Sequence, residues 1–211
     1  MATMTKPTHP STVERIRPAA EPPVSLPDRA IENLRYIRDT MDRAVAFTAV
    51  SGYGHIAAGA TAVAAAWVAS GRSGGAWLSV WLIEAAVGLA LTLGFSTRKA
   101  KRSGVPLTRG AGRKFLLGFA PPALTAVVLT PPLLAAGAIA VLPGVWLLLY
   151  GAATTTAGAF SVRAVPLMGI AFMLTGCAAL LFPAGRDAWL ALGFGGLHIA
   201  FGAIIARRHG G

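Results

Sequence analysis

The chain has 211 residues, 55% of them apolar and only 13% charged, with a mean hydropathy of +0.61. An average soluble domain carries about 25% charged residues, so most of this surface does not face water. The net charge of +11 would suit nucleic acid in a soluble protein, but its placement along this chain needs no such partner.

Residues 1–24 (MATMTKPTHPSTVERIRPAAEPPV) are rich in Pro, Thr and charge and lack an apolar period, which predicts a disordered tail. No apolar h-region follows the first residues, so the stretch does not read as a secretory signal peptide. Ser25, Pro27 and Asp28 then form a helix-start signature. Ala30, Leu34, Ile37, Met41 and Val45 recur every three or four residues, and charged residues cover the other side. Arg35–Asp39, Arg38–Asp42 and Asp39–Arg43 are i, i+4 pairs that support a helix. The pattern predicts an amphipathic helix over 25–48, lying on the membrane or against a protein partner.

Six apolar runs near 20 residues follow, and about 20 helical residues cross the hydrocarbon core. The predicted spans are 52–70, 76–95, 115–137, 141–158, 165–183 and 188–206. The third holds the pairs Pro121-Pro122 and Pro131-Pro132, which imply a kinked helix backed by its neighbours. Residues 115–158 contain no charge, so only Pro143, Gly144 and the proline pairs mark where the third span turns into the fourth. Trp67, Trp77, Trp81, Trp146 and Trp189 sit mostly near span ends, as an aromatic belt requires. Arg186-Asp187 at an outer turn reads as a surface pair, and the single cysteine, Cys177, as a small buried hydrophobe.

The basic residues predict orientation. With six spans, 17 of the 19 Lys and Arg fall on one side, and only Arg72 and Arg186 on the other. Positive charge stays cytoplasmic, so both termini are expected in the cytoplasm of a bacterial inner-membrane protein. The loop 98–114 carries Arg98, Lys99, Lys101, Arg102, Arg109, Arg113 and Lys114, which would attract anionic lipid.

Glycines recur at seven: Gly52 and Gly59; Gly137, Gly144, Gly151 and Gly158; Gly169 and Gly176; Gly195 and Gly202. A seven-residue step keeps one face in register, and small residues let membrane helices approach closely. HIAAGA at 55–60 nearly repeats as HIAFGA at 198–203. The expected fold is an all-α membrane protein, a six-transmembrane-helix bundle of Gly-rich hairpins with an N-terminal amphipathic helix. The segment LPGVWLLLYGAATTTAGAFSVRAVPLMGIAFMLTGCAALLFP resembles the hairpins of the acid-resistance membrane protein family, in glycine rhythm and short Gly–aromatic patches. The ending GFGGLHIAFGAIIARRHGG is similar to that of uncharacterised bacterial six-span proteins. These resemblances imply an inner-membrane location and a stress-related role, and supply no catalytic residues.

Enzyme motifs are missing: there is no H-E-x-x-H, G-x-S-x-G, Walker loop or C-x-x-C. Six of the eight acids lie in the N-terminal part, so no paired-carboxylate site is expected in the bundle. Three ionisable residues sit at membrane depth, His55, Glu84 and His198, each four residues before a glycine. Ionisable groups inside a membrane are costly and default to functional candidates. Glu84 is expected within hydrogen-bond reach of at least one histidine, directly or through one water: His55 if the first span begins near Ala44, His198 if it begins at Gly52. Tyr53 and Tyr150 are candidate hydroxyl partners. The set suits a static hydrogen bond, a proton relay or small-solute anchor, or haem b held by His55 and His198. The sequence thus points to a non-enzymatic structural or regulatory membrane component, with a small-solute or proton-coupled transporter as the alternative.

Overall fold

The computed structural model describes residues 29–37, 47–104 and 108–210. The tail expected over 1–24 lies outside the described residues, as do residues 25–28 and 38–46 of the expected amphipathic helix. Residues 29–37 belong to a unit of their own and are helical, with Leu34 and Ile37 of the apolar stripe exposed.

The second unit begins with a correction. The amphipathic helix was expected to continue to Thr48, but residues 47–51 are not helical. Phe47 instead makes a parallel bridge to Ser161. Its N–H donates to the Phe160 carbonyl at 2.7 Å, and its own carbonyl accepts from Ser161 Oγ at 2.6 Å. The Phe47 ring is buried with Val50, Val162, Val165 and Ile205, so burial of one aromatic side chain outweighs continued helix.

From there the described residues are helical apart from their turns. The helices are α1 (Gly52–Ala69), α2 (Gly74–Ser103), α3 (Gly110–Ala135), α4 (Leu142–Gly158), α5 (Ala164–Leu181) and α6 (Arg186–His209). A 3₁₀ turn, Ile139–Val141, leads into α4. Five of these, α2 to α6, are long and apolar enough to cross a bilayer, and the chain is a multi-pass membrane protein. The 18-residue α1 stands outside that set. It is built on alanine and glycine, which are weakly apolar, and it carries Tyr53 and His55.

Local chemistry sets the boundaries. The Ser51 side chain accepts from the Gly54 N–H and caps the start of α1. Between α3 and α4, the Ala138 N–H bonds the Leu133 carbonyl and the Gly137 N–H the Leu134 carbonyl. That pair is a Schellman closure, and it needs the left-handed backbone that Gly137 adopts at φ 72°. All four prolines of α3 lie inside the helix. Pro122 has no N–H to give the Gly118 carbonyl. The Thr156 hydroxyl of α4 lies 2.7 Å from that carbonyl and 2.8 Å from the Ala152 carbonyl of its own helix, so its single proton is shared between the two helices.

Two antiparallel glycine seams hold the bundle. A Cβ on Gly151 of α4 would stand 2.6 Å from the Gly169 carbonyl of α5, and one on Gly176 would stand 2.7 Å from the Leu148 nitrogen. The second seam joins the first helix to the last. A Cβ on Gly59 would stand 2.7 Å from the Gly195 carbonyl, and one on Gly202 would stand 2.8 Å from the Gly52 carbonyl. The two near-identical hexapeptides therefore face each other across α1 and α6. Such backbone approaches are open only to residues without a side chain.

At the end of the bundle where α2 and α6 start, Asp187 Oδ1 accepts from the Trp77 indole at 2.6 Å and from the Trp81 indole at 3.1 Å. The Arg186 guanidinium lies 4.6 Å from the Trp77 ring and donates to the Arg72 carbonyl. Asp187 thus keeps its pair with Arg186 at 3.9 Å and is also a junction between α2 and α6. Trp77 and Trp81 are core residues, whereas Trp67 is exposed as a belt residue would be. Cys177 is exposed, not buried, because Gly176 next to it faces the α4 seam.

Candidate functional site: a cleft between α2 and α3

Helices α2 and α3 are consecutive in the chain but do not pack along their length. Between them lies a cleft of about 530 Å³. That falls in the ordinary range for small-molecule sites, about 300–1,000 Å³. Its walls include Leu78, Leu82, Ala85 and Leu89 of α2 and Phe119, Ala123, Ala126 and Leu134 of α3. Its floor comes from Ala58 and Ala62 of α1, Trp146 and Tyr150 of α4, and Phe194 and His198 of α6. Exposed Leu82, Leu89 and Val127 line its rim, so the mouth opens sideways from the bundle. Trp146 closes one end: it stacks on Trp77 at 5.8 Å and donates to Thr130 Oγ1 at 2.9 Å.

Three ionisable side chains reach this apolar space: Glu84, Tyr150 and His198. Glu84 is placed by α2, nearly three turns into the helix. Its Oε1 lies 2.9 Å from Thr61 Oγ1 of α1. Thr61 Oγ1 also lies 2.9 Å from the Ala58 carbonyl. The hydroxyl has one proton, so the geometry fits both forms of the acid. A carboxylate would accept from Thr61, while a carboxylic acid would donate to it and release the hydroxyl proton to Ala58. The direct Glu84–histidine hydrogen bond expected from the sequence is not formed. Glu84 packs over Thr61, and its histidine neighbour on the cleft is His198. Gly88 also differs from Gly59 and Gly202: a Cβ there would meet nothing closer than 3.6 Å. It lines the cleft beside Ala58 of α1, and a Cβ there would make only ordinary contact with that residue at 3.7 Å.

His198 stands at the junction of a π-helical segment, Ala191–Leu197, with the regular end of α6. Such wide turns are rare and recur at functional sites. Its Nδ1 is 2.8 Å from the Phe194 carbonyl, which only accepts, so that nitrogen carries a proton. In the neutral ring Nε2 is then an acceptor, and the Tyr150 hydroxyl donates to it at 2.7 Å. Phe172 and Phe194 pack on the same imidazole.

His55 lies behind, in the first turn of α1, its Nδ1 2.8 Å from the Ser51 carbonyl. Its ring faces that of His198 at 5.5 Å between centroids, tilted by 40°. The two rings do not suit haem b. A porphyrin would have to stand between them. The seam fixes α1 against α6 at Gly52–Gly202 and again at Gly59–Gly195, which leaves no slot for a macrocycle. Tyr53 is 58% exposed and off the cleft, because two residues, about 200° of helix rotation, put it on the side of α1 opposite His55. Among the described residues no three His, Cys, Asp or Glu side chains gather as a metal site.

No family model, curated protein or solved structure matches this chain. The site's chemistry is therefore argued from its own geometry. Sequence spacing put Glu84 and His198 at membrane depth, and both reach the cleft. It missed Thr61, the partner of Glu84, and left Tyr150 no more than a candidate. The signal for Thr61 was present: a threonine two turns from His55 on an otherwise Ala-rich face.

Proposed function

We propose that this chain is a non-enzymatic, six-span protein of the bacterial inner membrane that binds a hydrophobic small molecule in the α2–α3 cleft. The observation that carries the reading is the cleft itself: apolar walls, a sideways mouth, and convergent Glu84, Tyr150 and His198. Few, well-placed polar groups in an apolar pocket are the ordinary composition of a ligand site.

Helix α1 serves as the sixth span. It runs antiparallel to α6 through the glycine seam and packs on α2, and its outward face carries the exposed apolar residues Val63, Trp67 and Val68. Six spans put both termini in the cytoplasm by the distribution of Lys and Arg. The basic segment 98–114 then meets anionic lipid. The helix within 25–48 would anchor to the membrane surface or to a protein partner through Leu34 and Ile37.

The reading is tested by native mass spectrometry of protein extracted with its surrounding lipid. A hydrophobic molecule should co-purify with wild type and be lost from Ala126→Phe, which fills the cleft. Equal retention by both proteins would place the bound molecule elsewhere.

One observation favours transport as a second reading. The Tyr150–His198 bond, the His198–His55 ring contact and the His55–Ser51 bond form a line of polar groups leading away from the cleft. Its test is ligand flux in proteoliposomes, compared between wild type and His198→Phe.

A further inference from the structure

We propose that the cleft takes a lipophilic cation, an amphiphile carrying a delocalised or quaternary positive charge, with Glu84 as its counter-ion. The inference rests on the reading of the cleft as a ligand site and names the class of ligand.

Glu84 is ten residues into α2, which at about 1.5 Å per residue is ~15 Å along the helix, near the middle of the hydrocarbon core. Among the described residues no Lys, Arg or His lies within ion-pair distance of it; the ion pair they contain is Arg186–Asp187 at 3.9 Å. Acids at this depth normally pair with a cationic side chain or face water. Glu84 has no cationic side chain beside it: among the described residues its one hydrogen-bond partner is the Thr61 hydroxyl, and the walls around it are apolar. A bound cation would supply the missing charge.

The rest of the cleft suits such a ligand. Trp81, Trp146, Tyr150 and Phe119 line it, and aromatic faces attract a positive charge that has lost its water. The other titratable groups on the cleft are Tyr150 and His198. They are bonded to each other, with the hydroxyl proton held between them, so neither presents a fixed positive charge to repel a cation. A strongly hydrated ion such as sodium has no ring of oxygen ligands here. A cation whose charge is buried in hydrocarbon loses little hydration, and it reaches the sideways mouth through the lipid.

The test uses three probes of similar shape and different charge: tetraphenylphosphonium, triphenylmethane and tetraphenylborate. Full-length protein in zwitterionic-lipid nanodiscs is titrated with each, following tryptophan fluorescence, because Trp81 and Trp146 line the cleft. Empty nanodiscs correct for partition into lipid. The cation should bind saturably and at least about tenfold more tightly than the neutral probe, with the anion weakest. Glu84→Gln should remove that preference, and Ala126→Phe should remove binding of the cation while keeping the acid. Equal binding of cation and neutral probe by wild type would overturn the cation inference and leave the ligand cleft standing. No saturable binding of any probe would overturn both. The comparison of probes on wild type decides the matter even if Glu84→Gln does not fold.

Discussion

The Tyr150 hydroxyl and the His198 Nε2 stand 2.7 Å apart and join α4 to α6 at the floor of the cleft. With His198 Nδ1 committed to the Phe194 carbonyl, this bond fixes both the tautomer and the direction of donation. Tyr150→Phe keeps the ring contacts with Phe119, Phe172 and Phe194 and deletes only the donor. It should destabilise the protein by about 1–3 kcal/mol, the usual cost of an unsatisfied buried acceptor. Thermal unfolding in detergent micelles measures this. An unchanged midpoint would mean that another donor replaces the hydroxyl.

Glycine substitutions should separate the seams from the cleft. Gly59→Ala and Gly151→Ala each force a Cβ to within 2.7 Å of a facing carbonyl. Overpacking of this kind costs about 1–3 kcal/mol. Gly88→Ala meets only ordinary contacts at 3.6 Å and 3.7 Å, and should leave the melting temperature unchanged or slightly raised. The same melting assay orders the three variants. Gly88→Ala proving the worst of them would contradict the described packing.

Asp187→Ala removes the acceptor shared by the Trp77 and Trp81 indoles. Two buried N–H groups would lose their partner, at about 1–3 kcal/mol each if water does not reach them. Asp187→Asn keeps an acceptor oxygen and should be milder. Tryptophan emission reports the change directly, and a red shift is expected for the alanine variant as water approaches the indoles. Identical spectra for all three proteins would rule out a junction role.

The topology has its own test. Reporters inserted in 105–107 or fused after Gly211 should be active only in their cytoplasmic form, as the basic residues dictate. A C-terminal reporter active outside would remove one span, with α1 the first suspect. Separately, Leu34→Asp with Ile37→Asp should release the N-terminal helix from membrane or partner while the bundle's melting temperature stays constant. Loss of the folded bundle would mean that this helix belongs to the core.

The helices were legible in the sequence because length and apolarity are local properties: α2 to α6 each cover most or all of an expected span, although α2 runs eight residues past 95 into the basic segment. The seven-residue glycine spacing was legible for the same reason, and so was the similarity of the two His-Ile-Ala segments. Which seam joins which helices was not, because period fixes a face and says nothing of its neighbour. Thus Gly52, Gly59, Gly195 and Gly202 join first and last helices, not a hairpin. Asp187 looked like half of an exposed pair because its partners, Trp77 and Trp81, are more than 100 positions away in the chain. The cleft could not be read at all. It is a gap where consecutive helices fail to meet, and no local pattern encodes a missing contact. The π segment before His198 was hidden too, since Gly193, Gly195 and Gly196 fit either a helix seam or a widened turn.

The seam between α1 and α6 has a consequence for how the protein is made. A helix built on alanine and glycine gains little from lipid alone, and its best partner, α6, begins more than 100 residues further along the chain. During synthesis α1 therefore depends on α2 to hold it in place, with its glycine face waiting for α6. Truncation before Ala188 would leave that face uncovered, and the shortened chain should be cleared by membrane proteolysis rather than accumulate. Docking of α6 is then the step that commits the whole chain to its final arrangement.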